Sequence, residues 1–297
     1  MNLLLSTSLK CSRHIRPSLR CSATRYLQTT INKDEINHFS KLSSHWWDEK
    51  GEFGLLHRMN PVRVQYILEK LQEVEEAENT VSSSSKYLNG RALSGLDVVD
   101  VGCGGGLLSE ALARLGANTL AIDASESNIT IASLHASKDP LLTGPNAKLE
   151  YRHTSSEELI KESRRFDVVC SMEVLEHVDN PALFLHSCCD LLKPGGHLFM
   201  STVARTPLSY FLTIFMAEQV LRKVTPGTHH YDKFVNSEEL VNFFHEEMGW
   251  FTGVPGRLQA ESRGIIYLPW KDEWILAGRN DPFTTECNYM FWARKPL

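Results

Sequence analysis

The chain has 297 residues, with 31 basic and 36 acidic side chains and a formal net charge of −5. That length suits one large α/β domain with additions, or two small domains, and allows a sizeable buried core. No stretch approaches the roughly 20 apolar residues of a transmembrane helix, and a net-acidic chain argues against general nucleic-acid binding.

Residues 1–30 hold Lys10, Arg13, Arg16, Arg20 and Arg25 and are rich in Ser and Thr, and no acid precedes Asp34. This is the composition of a mitochondrial or plastid transit peptide. The run Leu3 to Leu5 is too short for a secretory core. Without this segment 26 basic residues face 36 acids, near −10, so no nucleic-acid partner is expected. The seven cysteines form no CxxC pair. Cys11 and Cys21 fall in the presequence, and the others read as small buried residues in a reducing compartment.

Residues 31–75 are expected to form an N-terminal helical cap. Glu35 to Leu42 predicts one helix. HWWDEKGEFGLLHRMNPVRVQYILEKL leads into a second, starting near Pro61 as a first-turn residue and ending near Val74. Residues 76–95 are acidic, then serine-rich, and read as a flexible connector.

Residues 96–297 read as the main domain. Strands are predicted at 96–101, 118–122, 148–153, 166–171 and 197–202. Helices are predicted at 107–115, 126–136, Pro181–Leu192 and Ser237–Met248, with KPGG (193–196) as a turn. GVPGRLQ and NYMFWARK are expected to close the sheet. Such alternation predicts an α/β fold, a doubly wound and mostly parallel sheet with right-handed crossovers.

LDVVDVGCGGGL (96–107) carries the strongest functional signal. A β-branched strand runs into Gly102, Gly104, Gly105 and Gly106, which permit positive φ and close backbone approach to a ligand. The following helix points its N-terminus at that ligand. Asp123 ends the second strand, where a carboxylate can accept from ribose hydroxyls. The dinucleotide pattern G-x-G-x-x-G fails at its third position, occupied by Leu107. With Asp100 two residues before Gly102, the segment resembles instead the first motif of S-adenosylmethionine (SAM)-dependent methyltransferases.

The fourth strand ends in Ser171-Met172, then Glu173-Val174-Leu175-Glu176-His177. On one helical turn Glu173, Glu176 and His177 would share a face. Two carboxylates and an imidazole beside a cofactor could bind a divalent cation, or could shape the pocket without one. Mg²⁺ prefers oxygen ligands, whereas an imidazole suits Mn²⁺, Zn²⁺ or Fe²⁺. Glu173 and His177 are also the candidates for catalysis; the spacing leaves open whether His177 is a metal ligand or a general base.

Residues 205–233 form a long connection with Leu208, Tyr210, Phe211, Leu212, Ile214, Phe215 and Met216 densely apolar and Arg205, Arg222 and Lys223 flanking them. Such connections are usually functional. Two readings stand: a buried helix closing the substrate pocket, or an interfacial helix on a membrane.

The segments WWDEKGEFGLLHRMNPVR, DVGCGGGLLSEALARLGA and MEVLEHV resemble one family, the ubiquinone-biosynthesis O-methyltransferases, from about residue 35 onward. The resemblance implies twofold methylation of catechol hydroxyls, on a polyprenyl dihydroxybenzoate and on the demethylated ubiquinol. It implies SAM contacts at Arg63, Gly102, Asp123 and Met172, with Gly104 in the same loop, and Mg²⁺ or another divalent cation at Glu173, Glu176 and His177. It also implies a lipid substrate, a peripheral place on the matrix side of the mitochondrial inner membrane and a multi-subunit biosynthetic complex. Trp46 and Trp47 are expected to pack the N-terminal helices rather than touch substrate. Two other classes compete: a catalytically silent scaffold of methyltransferase fold, and a nicotinamide-dependent oxidoreductase. Leu107 disfavours the latter.

Overall fold

The protein is described from a computed structural model covering residues 29–78, 90–145, 147–251, 259–279 and 281–297. The expected transit peptide lies outside these residues, apart from its last two, as does the serine-rich part of the expected connector.

Five strands run parallel: β1 (Asp97–Val101), β2 (Asn118–Asp123), β3 (Leu149–His153), β4 (Phe166–Met172) and β5 (Leu192–Val203). Three antiparallel strands extend the β5 edge: β6 (Ala260–Leu268), β7 (Glu273–Leu276) and β8 (Asn288–Arg294). The order β3-β2-β1-β4-β5-β8-β6-β7 reverses at β1. In such sheets ligands sit outside the carboxyl ends of the strands at that reversal. The α/β, mostly parallel expectation holds.

The helices are α1 (Lys33–Leu42), α2 (Gly54–Glu78), α3 (Leu107–Arg114), α4 (Glu126–Ala136), α5 (Pro140–Thr143), α6 (Ser156–Ile160), α7 (Pro181–Asp190), α8 (Pro207–Ser209) and α9 (Ser237–Asn242). Alternation along each strand feeds two cores. Val99, Val169, Leu198 and Phe291 pack with Leu185, Cys188 and Phe244 from the α7 and α9 side. Val98, Val168, Phe199 and Trp292 pack with Tyr66, Ile67 and Leu71 of α2 and Leu112 of α3. α2 therefore covers one face of the sheet itself rather than a separate cap.

Several expectations change. α2 begins at Gly54, not near Pro61, which lies inside it. Burying Met59 ahead of Pro61 outweighs the one lost N–H donor. KPGG is not a separate turn: it lies inside β5, where the pairing jumps between Phe166 and Val168 and Gly195 takes φ +78. NYMFWAR is β8 as expected. Most of GVPGRLQ lies outside the described residues; β6 starts just after it, and β7 was not anticipated. The helix at Ser237 is capped by Asn236 with Glu239 and widens to a π-helix over Phe243–Glu247. The five described cysteines are free: Cys103, Cys170, Cys188 and Cys189 are buried and Cys287 is half-buried.

Candidate functional site

A cavity of about 1020 Å³ opens at the carboxyl ends of β1, β2 and β4. Arg63, Gly102, Gly104, Asp123, Met172, Glu173, Glu176 and His177, scattered over 115 positions of sequence, all line it.

The loop after β1 is built for close approach. Gly102, Gly104 and Gly106 all take positive φ, a region that penalises side chains. A Cβ on Gly102 would stand 2.5 Å from Val174 Cγ2, and one on Gly104 would enter the Trp46 ring. Trp46 stacks on Phe53 with centroids 3.8 Å apart and donates its indole N–H to Asn128 at 3.0 Å. Trp47 donates to the Gly105 carbonyl at 3.0 Å and stacks on His135. Both tryptophans thus clamp the N-terminal segment onto the glycine loop, a packing role as expected.

Asp123 accepts from the Gly104 N–H at 2.9 Å and the Ser125 N–H at 2.8 Å. Burial pushes its carboxyl up, against those hydrogen bonds. Asp100 is fully buried, accepts from Ser109 at 2.5 Å, and is pushed up to about 6 by burial.

Arg63, from α2, is 4% exposed, and its Nε and Nη2 have no hydrogen-bond partner. Its closest carboxylate contact is Glu173, at 3.8 Å, beyond hydrogen-bond reach. Burial lowers its pKa, opposed by Glu173 and Asp100. A buried guanidinium with unmet donors beside a cavity is matched to a carboxylate or other planar anion.

Glu173, Glu176 and His177 do not form the helical turn their spacing suggests. Glu173 takes φ +56, which ends β4 sharply, and only Leu175–His177 forms a 3₁₀ turn. Leu175 and Val174 pack inward, one into the core and the other against Gly102. Glu173 accepts from Ser201 at 2.5 Å and Glu176 from Thr202 at 2.8 Å, consecutive residues of β5. His177 Nδ1 meets Glu35 of α1 at 3.1 Å, and Phe39, one turn further along α1, meets the imidazole edge-on at 5.0 Å. Lys233 holds the other Glu35 oxygen at 3.0 Å.

Among the described residues no set of three or more His, Cys, Asp or Glu side chains is disposed to hold a metal ion. The two acids nonetheless suit a hard cation in part. Glu176 Oε1 is buried without a partner, and burial together with Glu173 pushes the Glu176 carboxyl up, the state a nearby cation would relieve.

Asn128, Trp46, Glu35, Lys233, Ser201 and Thr202 contribute to the site and were not singled out for it in the sequence. Glu35 sat within a predicted helix, but nothing local marks the residue 142 positions away that it meets.

A family model described as a methyltransferase domain matches residues 65–250. A ubiquinone biosynthesis O-methyltransferase, mitochondrial, from Schizosaccharomyces pombe is 40% identical over 269 residues, covering 90% of this chain and 88% of its own. The enzyme of that name from Roseobacter denitrificans is 38% identical, over 91% of this chain and 98% of its own. The chain belongs to the ubiquinone biosynthesis O-methyltransferase family. As such it is a SAM-dependent methyltransferase, and its fold agrees. A SAM-dependent methyltransferase from Thermotoga maritima superposes with a TM-score of 0.51 at 12% identity, covering 88% of this chain and 99% of that one. Magnesium protoporphyrin IX methyltransferase from Synechocystis with bound SAM gives 0.50 at 15% identity, covering 90% of this chain and all of that one. The family's reaction needs a donor site and an acceptor site side by side. The glycine loop with Asp123 and the Glu173–His177 turn both line the cavity, with Val174 packed against Gly102.

Proposed function

We propose that this enzyme transfers the methyl group of SAM to a catechol hydroxyl of a polyprenylated quinone precursor, on a dihydroxybenzoate and again on a demethylated quinol. The observation that carries the reading is Arg63: a buried guanidinium with two donor nitrogens unmet, beside the glycine loop and Asp123. In this reading Arg63 pairs with the amino-acid carboxylate of SAM and Asp123 accepts from the ribose hydroxyls. Gly102 and Gly104 let the backbone approach, and Met172 packs beside them. Bound SAM supplies an electrophilic methyl.

The chain's own task is to orient and deprotonate the acceptor. A phenol titrates near 10, so the hydroxyl needs a proton acceptor or a cation beside it. His177, with Nδ1 engaged by Glu35, has Nε2 left for the proton. In the alternative, where His177 is a ligand rather than the base, Glu173 and Glu176 with His177 are the residues that would hold Mg²⁺ or another divalent cation. The partnerless Glu176 Oε1 supports the two acids, and such a cation would acidify the catechol and fix its angle. Positioning of two reactants supplies much of the rate in such a transfer.

The Tyr210–Val220 helix supports a peripheral membrane role. It follows α8 and is π-helical, and Leu208, Phe211, Leu212 and Phe215 are exposed. The alternative of a helix closing the pocket is supported in part: Phe211, Leu212, Thr213 and Met216 line the cavity, while Glu218 is the one buried residue of Tyr210–Val220. Among the described residues no helix is long and apolar enough to cross a membrane. The S. pombe relative is named mitochondrial, and the basic, acid-free first 30 residues agree. In this reading the enzyme sits on the matrix face of the mitochondrial inner membrane; its place in a multi-subunit biosynthetic complex rests on the family resemblance alone.

The test is methyl transfer to short-chain dihydroxybenzoate and demethylubiquinol analogues, with and without chelator, together with Mn²⁺ binding followed by electron paramagnetic resonance. No product from either catechol overturns the substrate assignment. Mn²⁺ binding that is unchanged in Glu173→Gln and Glu176→Gln overturns the cation site.

A further inference from the structure

The exposed apolar residues of this enzyme do not all lie on the helix after α8. Two of the most exposed are elsewhere: Trp270, 77% exposed in the turn between β6 and β7, and Phe283, 81% exposed in the turn before β8. Neither faces a core. Both turns reach the cavity that the helix after α8 also lines: Pro269, Pro282 and Phe283 line it, as do Leu208, Phe211 and Leu212. Asp272, in the β6–β7 turn, and Lys223, just past the helix, also line it.

Both turns are firmly built. Tyr267 donates to Asp272 at 2.5 Å, Arg58 Nε donates to the same carboxylate at 2.7 Å, and the Lys271 N–H donates to Leu268 at 3.0 Å. Asp281 accepts from the Gly278 N–H at 2.8 Å, and the Glu286 N–H donates to Phe283 at 3.2 Å. Phe283 takes φ +62, a strained conformation for a bulky side chain. That strain is spent holding an aromatic ring in water. An exposed apolar patch at the mouth of a site marks an interaction surface, and a tryptophan at such a rim suits the water–hydrocarbon boundary.

We propose that Trp270 and Phe283 form a second apolar lip, and that both lips rest in the headgroup boundary of a lipid bilayer so that the cavity opens into the membrane. The proposal rests on the reading of the helix after α8 as membrane-facing and names the opposite contact. Charge narrows the partner. Lys271 pairs with Glu273 at 3.3 Å, Asp272 follows it in the same turn, and Asp281 stands two residues before Phe283 in the other. The second lip has no basic excess, so it docks by aromatic insertion rather than by attraction to anionic headgroups. A substrate with a polyprenyl tail can then enter the cavity between the lips without crossing water.

The experiment uses the full chain with phosphatidylcholine vesicles whose acyl chains carry bromine, a contact quencher of indole. Of the six tryptophans only Trp270 is exposed, so the quenched component belongs to it. We expect brominated vesicles to quench part of the emission, Trp270→Phe to abolish that part, and 0.5 M salt to leave it unchanged. Trp270→Ser combined with Phe283→Ser lowers vesicle partition at least fivefold, while Trp270→Ser alone keeps its rate on a water-soluble short-chain substrate. Quenching that is unchanged in Trp270→Phe overturns the proposal, as does vesicle binding without any quenching; in the latter case the helix reading survives. Leu208→Ser/Phe211→Ser/Phe215→Ser with undiminished partition overturns the helix reading alone. A dimer that dissociates on Trp270→Ser/Phe283→Ser, with no vesicle binding, assigns the surface to a second copy and overturns the proposal.

Discussion

Glu35 Oε2 lies 3.1 Å from His177 Nδ1, joining the first described helix to the end of β4 across 142 positions of sequence. Burial works to raise the Glu35 carboxyl, but hydrogen bonds and charges from His177 and Lys233 hold it at about 2. Glu35 in turn, with Glu176 and Glu173 nearby, raises the imidazole despite its own burial. The signs give a window. The Glu35 contribution is present above its ordinary value of 4.5 and fades as pH falls toward 2; that of His177 is present below 6.5 and fades as pH rises through its raised value. Glu35→Gln therefore destabilises most between these two ordinary values, by about 1–3 kcal/mol. Thermal melts of both proteins from pH 4 to pH 9 measure it. A constant difference across that range contradicts the assignment.

Arg63→Met keeps the bulk of the side chain and removes the donors. A charge-assisted pair is worth about 1.5–3 kcal/mol, so SAM affinity falls roughly 10- to 150-fold by calorimetric titration. Removing the guanidinium breaks no hydrogen bond of Nε or Nη2 but takes a cation from among Glu173, Asp100 and Glu176, so affinity is compared at a temperature where both proteins are folded. Unaltered SAM affinity would remove Arg63 from the donor site.

Gly104→Ala sets a Cβ against the Trp46 ring at φ +54. Left-handed backbone alone costs an alanine about 1–2 kcal/mol, and the clash adds to it. The variant melts earlier and loses SAM affinity together. Trp46→Ala, which empties the stack on Phe53 and orphans Asn128, costs about 3–5 kcal/mol in denaturant unfolding.

Glu176→Gln replaces a buried carboxylate, one of whose oxygens has no partner, with a neutral amide. In metal-free buffer the variant is as stable as the parent or more stable, because a buried charge is removed. Added Mn²⁺ raises the melting temperature of the parent but not of the variant. A parent that is indifferent to Mn²⁺ and magnesium alike removes the cation from the mechanism.

Much of the donor side was legible in the sequence. Strand, glycine loop, helix and Asp123 are consecutive, and each is specified by its own residues: β-branched Val98, Val99 and Val101 for the strand, and glycines where φ is positive. The acceptor side was less so. The Glu173–His177 spacing suggested one helical face, yet Glu173 sits in the left-handed region and the two acids hang from successive β5 hydroxyls. That conformation follows from packing Val174 and Leu175, not from the local pattern.

By itself the sequence determined the alternation of elements, the methyltransferase loop and the family, because these depend on residues close together in the chain. Only the tertiary structure decided which distant groups meet. It set Arg63 beside the loop with its donors unmet, Glu35 against His177, and Phe283 at the cavity that the helix after α8 also lines. The reason is physical: a side chain's partner across the fold depends on how α1, α2 and the β6–β8 extension pack on the sheet, and no periodicity of 2 or 3.6 residues encodes that.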